Sequence, residues 1–292
     1  MLGINYATLL ANYKMIKQVA YLGPPGTFCE EAAQLYDSKS ELSSFLSITA
    51  VGAAVVTEMV DEGIVPIENS IEGSVPETLD LLIQEARLHI REEVVLPIRH
   101  YLLCRGDTQS QDIEVIFSHP QPLAQCRNFL ERCFSKSQIH AALSTSTAVE
   151  QMMSYPESSA AIGTLRAANI YGASVLAKDI QDRSPNLTRF VVVGRADHDP
   201  TGSDKTSLCF SFADDHPGLL YQALKEFADQ GINLTKVESR PSKHTLGKYV
   251  FLVDLDGHRT DSRVAKVLAN IQKNVDFLKV FGSYPRCDKW KA

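Results

Sequence analysis

Several things are missing from these 292 residues, and each absence removes a class of protein. No apolar run approaches the roughly 20 residues of a membrane-spanning helix, so no membrane is expected as a partner. Basic residues are not in excess: 29 Lys and Arg face 35 Asp and Glu, for a net charge of −6. A mildly acidic chain offers no electrostatic footprint for nucleic acid or an anionic lipid surface. The six cysteines, Cys29, Cys104, Cys126, Cys133, Cys209 and Cys287, include no C-x-x-C pair. Cys126 and Cys133 fall on one expected helix, too far apart along it to bridge. They read as small reduced core residues, which suits a cytoplasmic protein. Histidine and cysteine spacing suggests no metal site, and neither a P-loop nor a dinucleotide fingerprint is present. The opening stretch MLGINYATLLANYKMIK is weakly amphipathic. It lacks a basic leader and a small-residue cleavage site, so it reads as a short helix or an added tail rather than a signal peptide.

What is there suits a globular chain. Hydrophobic residues make up 44% and charged residues 22%, enough to build a core without disulfide or metal staples. The length suits about two domains. Short apolar runs at 18–23, 64–67, 98–104, 114–117, 160–163 and 189–193 read as strands. Residues 30–36, 76–84 and 123–134 carry helical spacing, and another helix runs from the strand at 160–163 through Ala168. Pro76 sits where a first helical turn tolerates it. Strands alternating with helices predict α/β layers with mostly parallel sheet, in two lobes flanking a cleft. The polar stretch RADHDPTGSDK at 195–205 reads as a linker. Beyond it the rhythm changes to βαββαβ, a ferredoxin-like pattern of about 80 residues that can stand alone.

Polar groups cluster where this architecture would place a ligand. GPPGTF at 23–28 follows a strand and opens a helix, which makes either an anion seat or an ordinary turn. PIENSIEGSV at 66–75 sets Glu68, Asn69 and Ser70 at a strand's carboxyl end, where open α/β sheets bind ligands. The alternative is a polar turn with Ser74 capping the next helix. SHPQPLAQ at 118–125 repeats the arrangement in the second lobe, with Gln121 and Gln125 one turn apart. His119 there is either structural or an acid–base group. STSTA at 144–148 offers several hydroxyls for capping or anion binding. In NLTRF at 186–190, Thr188 and Arg189 are neighbours that extended backbone points to opposite faces. In the last module, DHPGLL at 215–220 opens a helix and NLTKVESRP at 233–241 is the facing strand, serving an effector or a dimerising edge.

Taken in order along residues 18–285, these segments resemble the prephenate dehydratase family. The resemblance implies a two-lobed, periplasmic-binding-protein-like (type II) catalytic region at 18–196. Lobe 1 would cover about 18–97 and 176–196, and lobe 2 about 98–175. A linker at 197–204 would lead to an ACT regulatory domain at 205–285. The implied reaction is decarboxylative dehydration of prephenate to phenylpyruvate, without cofactor or metal. Thr188, Asn69, Ser118 and Gln125 take the catalytic positions. Thr27, Glu68, Ser70, Thr145, Arg189 and Phe190 take the substrate-binding ones, with Arg189 either on the pyruvyl carboxylate or structural. His216, Pro217, Gly218, Leu219, Leu220, Asn233, Leu234, Glu238, Ser239 and Arg240 are the implied effector residues, for L-phenylalanine. A homodimer or homotetramer is the implied assembly. Two departures stand out: Cys29 replaces a frequent serine, and Leu219 replaces a smaller alanine in the effector motif. Arogenate dehydratase and a non-catalytic small-anion binder of the same fold remain the alternatives.

Overall fold

The computed structural model describes residues 16–106, 108–214, 216–243 and 247–287. Most of the opening amphipathic stretch therefore lies outside the described residues. The strands, numbered in chain order, form three sheets. The first holds β1 (Gln18–Leu22), β2 (Glu41–Phe45), β3 (Glu62–Asn69), the short β4 (Gly73–Ser74) and β5 (His89–Pro97). The second holds β6 (Tyr101–Cys104), β7 (Val115–Ser118), β8 (Gln138–Ala141), β9 (Ser159–Gly163) and β10 (Ser174–Ala177). The chain then returns to the first sheet as β11 (Leu187–Gly194). The two orders are β2-β1-β3-β11-β5, with β4 on β3, and β10-β6-β9-β7-β8. Two lobes are thus present, but β10 keeps Leu176 and Ala177 in the second sheet, so the chain returns to the first lobe later than the expected residue 176.

The sheets are less parallel than expected. In each lobe three strands run parallel, β2-β1-β3 and β8-β7-β9. The strands that carry the chain from one lobe to the other pair antiparallel: β5 and β11 in lobe 1, β6 and β10 in lobe 2. A chain crossing between lobes twice brings strands in from the opposite direction. The two crossings touch each other, since Ile98 N donates to Asn186 O at 2.8 Å and Ile180 N to His100 O at 3.1 Å.

Lobe 1 carries helices α1 (Phe28–Tyr36), α2 (Ile48–Val56) and α3 (Pro76–Gln84). Lobe 2 carries α4 (Pro120–Gln125), α5 (Arg127–Cys133), α6 (Thr145–Ser154) and α7 (Leu165–Tyr171). The single helix read at 123–134 is thus two. Cys126 leaves helical backbone at φ −113° and ψ 17°. The Asp182 carboxylate accepts from Asn128 N at 2.9 Å and Phe129 N at 3.3 Å, which caps a fresh helix start. Helix α2 has the sequence ITAVGAAVV, apolar but for Thr49, and packs Ile48, Val51, Ala54 and Val55 into the lobe 1 core with Leu81 and Leu82 of α3, while Thr49 and Ala53 stay exposed.

The third sheet has β12 (Asp204–Ser211), β13 (Leu234–Pro241), β14 (Tyr249–Asp256) and β15 (Phe277–Pro285). Helices α8 (Leu219–Asp229) and α9 (Ser262–Asn274) complete the expected βαββαβ order. The strand order β13-β14-β12-β15 is antiparallel throughout. One face packs on α8 and α9 through Leu208, Phe210, Phe227 and Val267. The other face shares a core with lobe 1. Cys209, Val250, Leu252, Phe281 and Tyr284 pack with Leu82, Ile90, Val191 and Val193. Each such buried aliphatic or aromatic side chain contributes about 1.5–3 kcal/mol. The module read as self-sufficient is therefore welded to lobe 1. Gly282 lets β15 lie against β5 backbone to backbone: a Cβ there would sit 2.1 Å from Ile90 O. The Lys279 ammonium donates to the carbonyls of Leu82 and Glu85 at the carboxyl end of α3, where the helix dipole favours a cation.

Candidate active site

A cavity of about 440 Å³ lies where the lobes meet. That is an ordinary size for a small-molecule site. Lobe 1 contributes Thr27, Asn69, Thr188 and Phe190, and lobe 2 contributes Gln125 and Thr145. No lysine or arginine lines it among the described residues. Positive potential comes instead from backbone. Helices α2 and α6 both begin at the cavity, with Ile48 and Thr145 on its wall. Unpaired N–H groups of a first helical turn favour an anion.

The polar floor is a connected ladder of amides, a hydroxyl and an imidazole that ends on the Glu72 carboxylate. Asn69 is the fixed rung. Its Oδ1 accepts from Ile71 N at 2.9 Å and Glu72 N at 3.0 Å, so its amide orientation is set. Its Nδ2 donates to Thr188 Oγ1 at 2.9 Å and to Asn186 Oδ1 at 2.8 Å. Asn186 Nδ2 donates to Gln125 Oε1 at 2.9 Å, and Gln125 Nε2 donates to Glu72 Oε1 at 3.1 Å. His100 Nε2 completes the set, 2.8 Å from Gln125 Oε1. That oxygen is an acceptor, so the imidazole carries its hydrogen on Nε2. Burial holds the His100 pKa below the usual value, partly offset by the Gln125 bond, which keeps the ring neutral near pH 7. Thr188 therefore accepts from Asn69 and keeps its own hydrogen. Among the described residues no protein acceptor takes that hydrogen, and Thr188 is on the cavity wall. The site offers a hydroxyl donor held rigidly and activated by an amide.

The β3–β11 register explains the pairing, because Thr188 stands directly opposite Asn69. Cys29 also reaches the wall, but burial pushes its thiol up to about 12, so it is no thiolate. Thr27 lines the cavity while donating to Pro24 O at 3.0 Å. The turn before it is not an open anion seat: Gly26 N already donates to Glu30 Oε2 at 2.6 Å. Gly26 has φ +86° and presses against lobe 2, where a Cβ would meet Ser146 Oγ at 2.7 Å. Of the hydroxyls at 144–148, Ser144 and Thr145 reach the cavity and Ser146 bonds Pro25 O. His119 also lines it, as the cap of α4.

Four expected site residues are elsewhere. Ser118 is fully buried and donates to Ile162 O at 3.0 Å, tying β7 to β9, and is not on the cavity wall. Ser70 is exposed and accepts from Leu187 N at 2.9 Å. Glu68 and Arg189 lie on the other face of their strands, as alternation requires. Arg189 Nη2 bonds Glu68 Oε2 at 2.9 Å and Asp254 Oδ2 at 2.8 Å, and Nη1 reaches Glu93 Oε2 at 3.4 Å. Lys205 joins Glu93 at 2.7 Å. Burial works against the Arg189 charge, but Asp254, Tyr284, Glu93 and Glu68 outweigh it and hold its pKa well above the usual value. Arg189 is thus a tie to the third sheet and does not line the cavity.

Comparison with known proteins gives this arrangement a family. The prephenate dehydratase model matches residues 19–198, and the ACT domain model matches residues 209–272. The chain belongs to the prephenate dehydratase family. A bifunctional chorismate mutase/prephenate dehydratase of Aquifex aeolicus is 43% identical over 274 residues, covering 94% of this chain and 74% of that protein. A prephenate dehydratase of Methanocaldococcus jannaschii is 37% identical, covering 94% of this chain and 100% of that one. The crystal structure of a prephenate dehydratase from Arthrobacter aurescens, in complex with L-Phe, superposes with a TM-score of 0.87 at 35% identity. It covers 94% of this chain and 92% of that one.

In the ACT domain the expected effector residues are spread out. His216, Pro217 and Gly218 are exposed ahead of α8, and Gly218 caps that helix at φ +96°. Leu220 packs into the α8–α9 core, and Leu219 lines a separate cleft of about 220 Å³ with Phe212, Gln222 and Ile271. At the start of β13, Leu234 joins that core and Asn233 donates to Asp256 Oδ2 at 3.0 Å. The end of β13 divides by alternation. Glu238 accepts from Ser74 Oγ at 2.5 Å, and Arg240 pairs with Asp80 at 2.6 Å, both across the boundary to lobe 1. Ser239 between them is exposed.

Three members of the ladder were not expected: His100, Asn186 and Glu72. Asn186 and Glu72 fall inside segments the sequence already marks, at 186–190 and 66–75. His100 falls in an apolar run and carries no motif. Its signal is positional, since a polar side chain stands where the chain first crosses between lobes.

Proposed function

We propose that this chain converts prephenate to phenylpyruvate, carbon dioxide and water, in phenylalanine biosynthesis. Residues 18–196 form the catalytic region, 197–204 the connection and 205–285 the regulatory domain. The observation that carries the reading is the free hydroxyl hydrogen of Thr188, beside the amide of Asn69, on the cavity wall. Expelling the ring hydroxyl is the difficult part of the reaction. Thr188 donates to that oxygen as the carbon–oxygen bond breaks, Asn69 stabilises the negative charge then left on Thr188 Oγ1, and Thr188 regains a proton from solvent as water and product leave. The electron pair released by the departing carboxylate completes the aromatic ring. Gln125 orients the substrate through the Nε2 hydrogen it does not give to Glu72, Asn69 acts through Thr188, and Phe190 excludes water.

The substrate is a dianion, and the first turns of α2 and α6 suit one carboxylate each. Such neutral donors favour binding without a tight ion pair. That matters because a clamped carboxylate would be stabilised in the ground state and resist leaving as carbon dioxide. The position of Arg189, away from the cavity, accords with this.

L-phenylalanine acts on the ACT domain, and the interdomain bonds of Arg189, Arg240 and Lys279 give its binding a path to lobe 1. β13 is an edge strand with Val237 exposed, a surface suited to pairing two chains as a homodimer or within a homotetramer. Unbonded cysteines throughout the described residues suit the cytoplasm.

Purified protein should form phenylpyruvate from prephenate, detected in the ultraviolet, and L-phenylalanine should slow it. Faster turnover of arogenate would move the assignment to arogenate dehydratase. No product from either substrate would leave a binding protein.

A further inference from the structure

Among the described residues, Leu46 and Leu143 are the two most exposed large apolar side chains, at 101% and 91%. Both line the same cavity, one from each lobe. Each directly precedes a serine that caps a helix. Ser47 Oγ accepts from Ala50 N at 3.1 Å, and Ser144 Oγ accepts from Thr147 N at 3.0 Å. The local sequences run alike, LSITAV from Leu46 and LSTSTAV from Leu143. The residue after each serine, Ile48 or Thr145, is also on the cavity wall.

A single exposed leucine needs no explanation. Two at matching positions on opposite lips of one cavity do. The capped helix behind each leucine fixes it to a rigid lobe, so the two can approach only if the lobes move as bodies. The lobes stay joined through the crossings at Ile98 and Asn186, and through Arg166 on Glu30 at 2.8 Å.

We propose that Leu46 and Leu143 form a hydrophobic clamp that closes on the ring of the bound substrate. The inference rests on the dehydratase reading of the cavity and adds the residues that position the ring. The helix starts beside the leucines hold the charged groups, and the leucines cover the apolar faces. Closing removes water from the mouth, which strengthens the Thr188 hydrogen bond and favours loss of charge as carbon dioxide departs.

The test uses the full chain. Leu46→Ala and Leu143→Ala should each raise KM for prephenate about 10-fold. The double variant should fall short of the product of the two effects, because the side chains meet in the closed state. Melting temperature should stay at the wild-type value, since both side chains are already in water. A second variant, Leu46→Cys with Leu143→Cys and with Cys133→Ser and Cys287→Ser, reads closure directly. Its cross-linking by a short bifunctional thiol reagent should quicken several-fold with phenylpyruvate. Unchanged KM in the alanine variants, or equal cross-linking rates with and without phenylpyruvate, overturns the clamp. Wild-type turnover of prephenate is scored separately, so failure of the dehydratase reading is not confused with failure of the clamp.

Discussion

Thr188 and Arg189 are consecutive residues of β11 in two unlike surroundings. Thr188 faces a cavity floored with amides, a hydroxyl and a neutral imidazole, all bound to one another. Arg189 faces three carboxylates, from β3, β5 and β14, at the boundary with the ACT domain. The cavity face is preorganised and carries no cation. The boundary face concentrates charge and joins two domains. A single strand thus holds the proposed hydroxyl donor on one side and the link to the ACT domain on the other, one residue apart. The ACT sheet touches the strand of Thr188 on the face away from the cavity.

The comparison breaks first at Thr188. Thr188→Ala should lower kcat about 10²–10⁴-fold, the usual worth of a general acid. The fold should stay intact, with thermal melting little changed. Thr188→Ser keeps the hydroxyl and should recover most of the loss in the same steady-state assay. Wild-type turnover in Thr188→Ala would remove the donor from the mechanism.

Arg189→Met should give the opposite pattern. Losing the guanidinium leaves Glu68, Glu93 and Asp254 facing one another. Breaking a buried ion pair from one side costs about 3–5 kcal/mol, and the half-exposed Glu68 places this case near the lower end. Denaturant melts should show that loss, while kcat of the folded protein stays within about 10-fold and inhibition by L-phenylalanine weakens. A loss of kcat as deep as that of Thr188→Ala would mean the two faces are not separable.

The difference between the faces also sets what the chain reveals without coordinates. Adjacent residues of a strand point opposite ways, so the separation of Thr188 from Arg189 is legible from period alone. The βαββαβ order is legible because its helices have clear apolar stripes, as in α9. Helix α2 is not legible, because nine nearly apolar residues carry no period. Ser118 misleads for a geometric reason: a serine ending a strand beside a cleft can turn to its neighbour strand, and here it bonds Ile162 O. The docking of the ACT sheet depends on long-range contacts such as Gly282 on Ile90, and a lone glycine does not announce them. His100 escapes notice because its partner Gln125 belongs to the other side of a crossing that only the fold brings together.

His100 gives the finest test of the cation-free face. Its pKa is held below the ordinary histidine value near 6.5, chiefly by burial. Above that ordinary value the ring is neutral in both the folded and the unfolded chain, and titration leaves stability unchanged. As pH falls below it, the unfolded chain takes the proton first, so stability declines until the folded pKa is passed. His100→Gln keeps a donor near Gln125 Oε1 and removes the titration. The variant should be somewhat less stable than wild type at pH 7.5, having lost a shape-matched ring beside Phe28. Its melting temperature should then fall less steeply than that of wild type between pH 6.5 and pH 5. His89 and His119 also have pKa values lowered by burial, but they are present in both proteins and cancel in the difference. Parallel melting curves across that range would mean His100 keeps its proton on folding. A cation would then stand on the cavity face as well as on the boundary, and the contrast between them would fail at its smallest part.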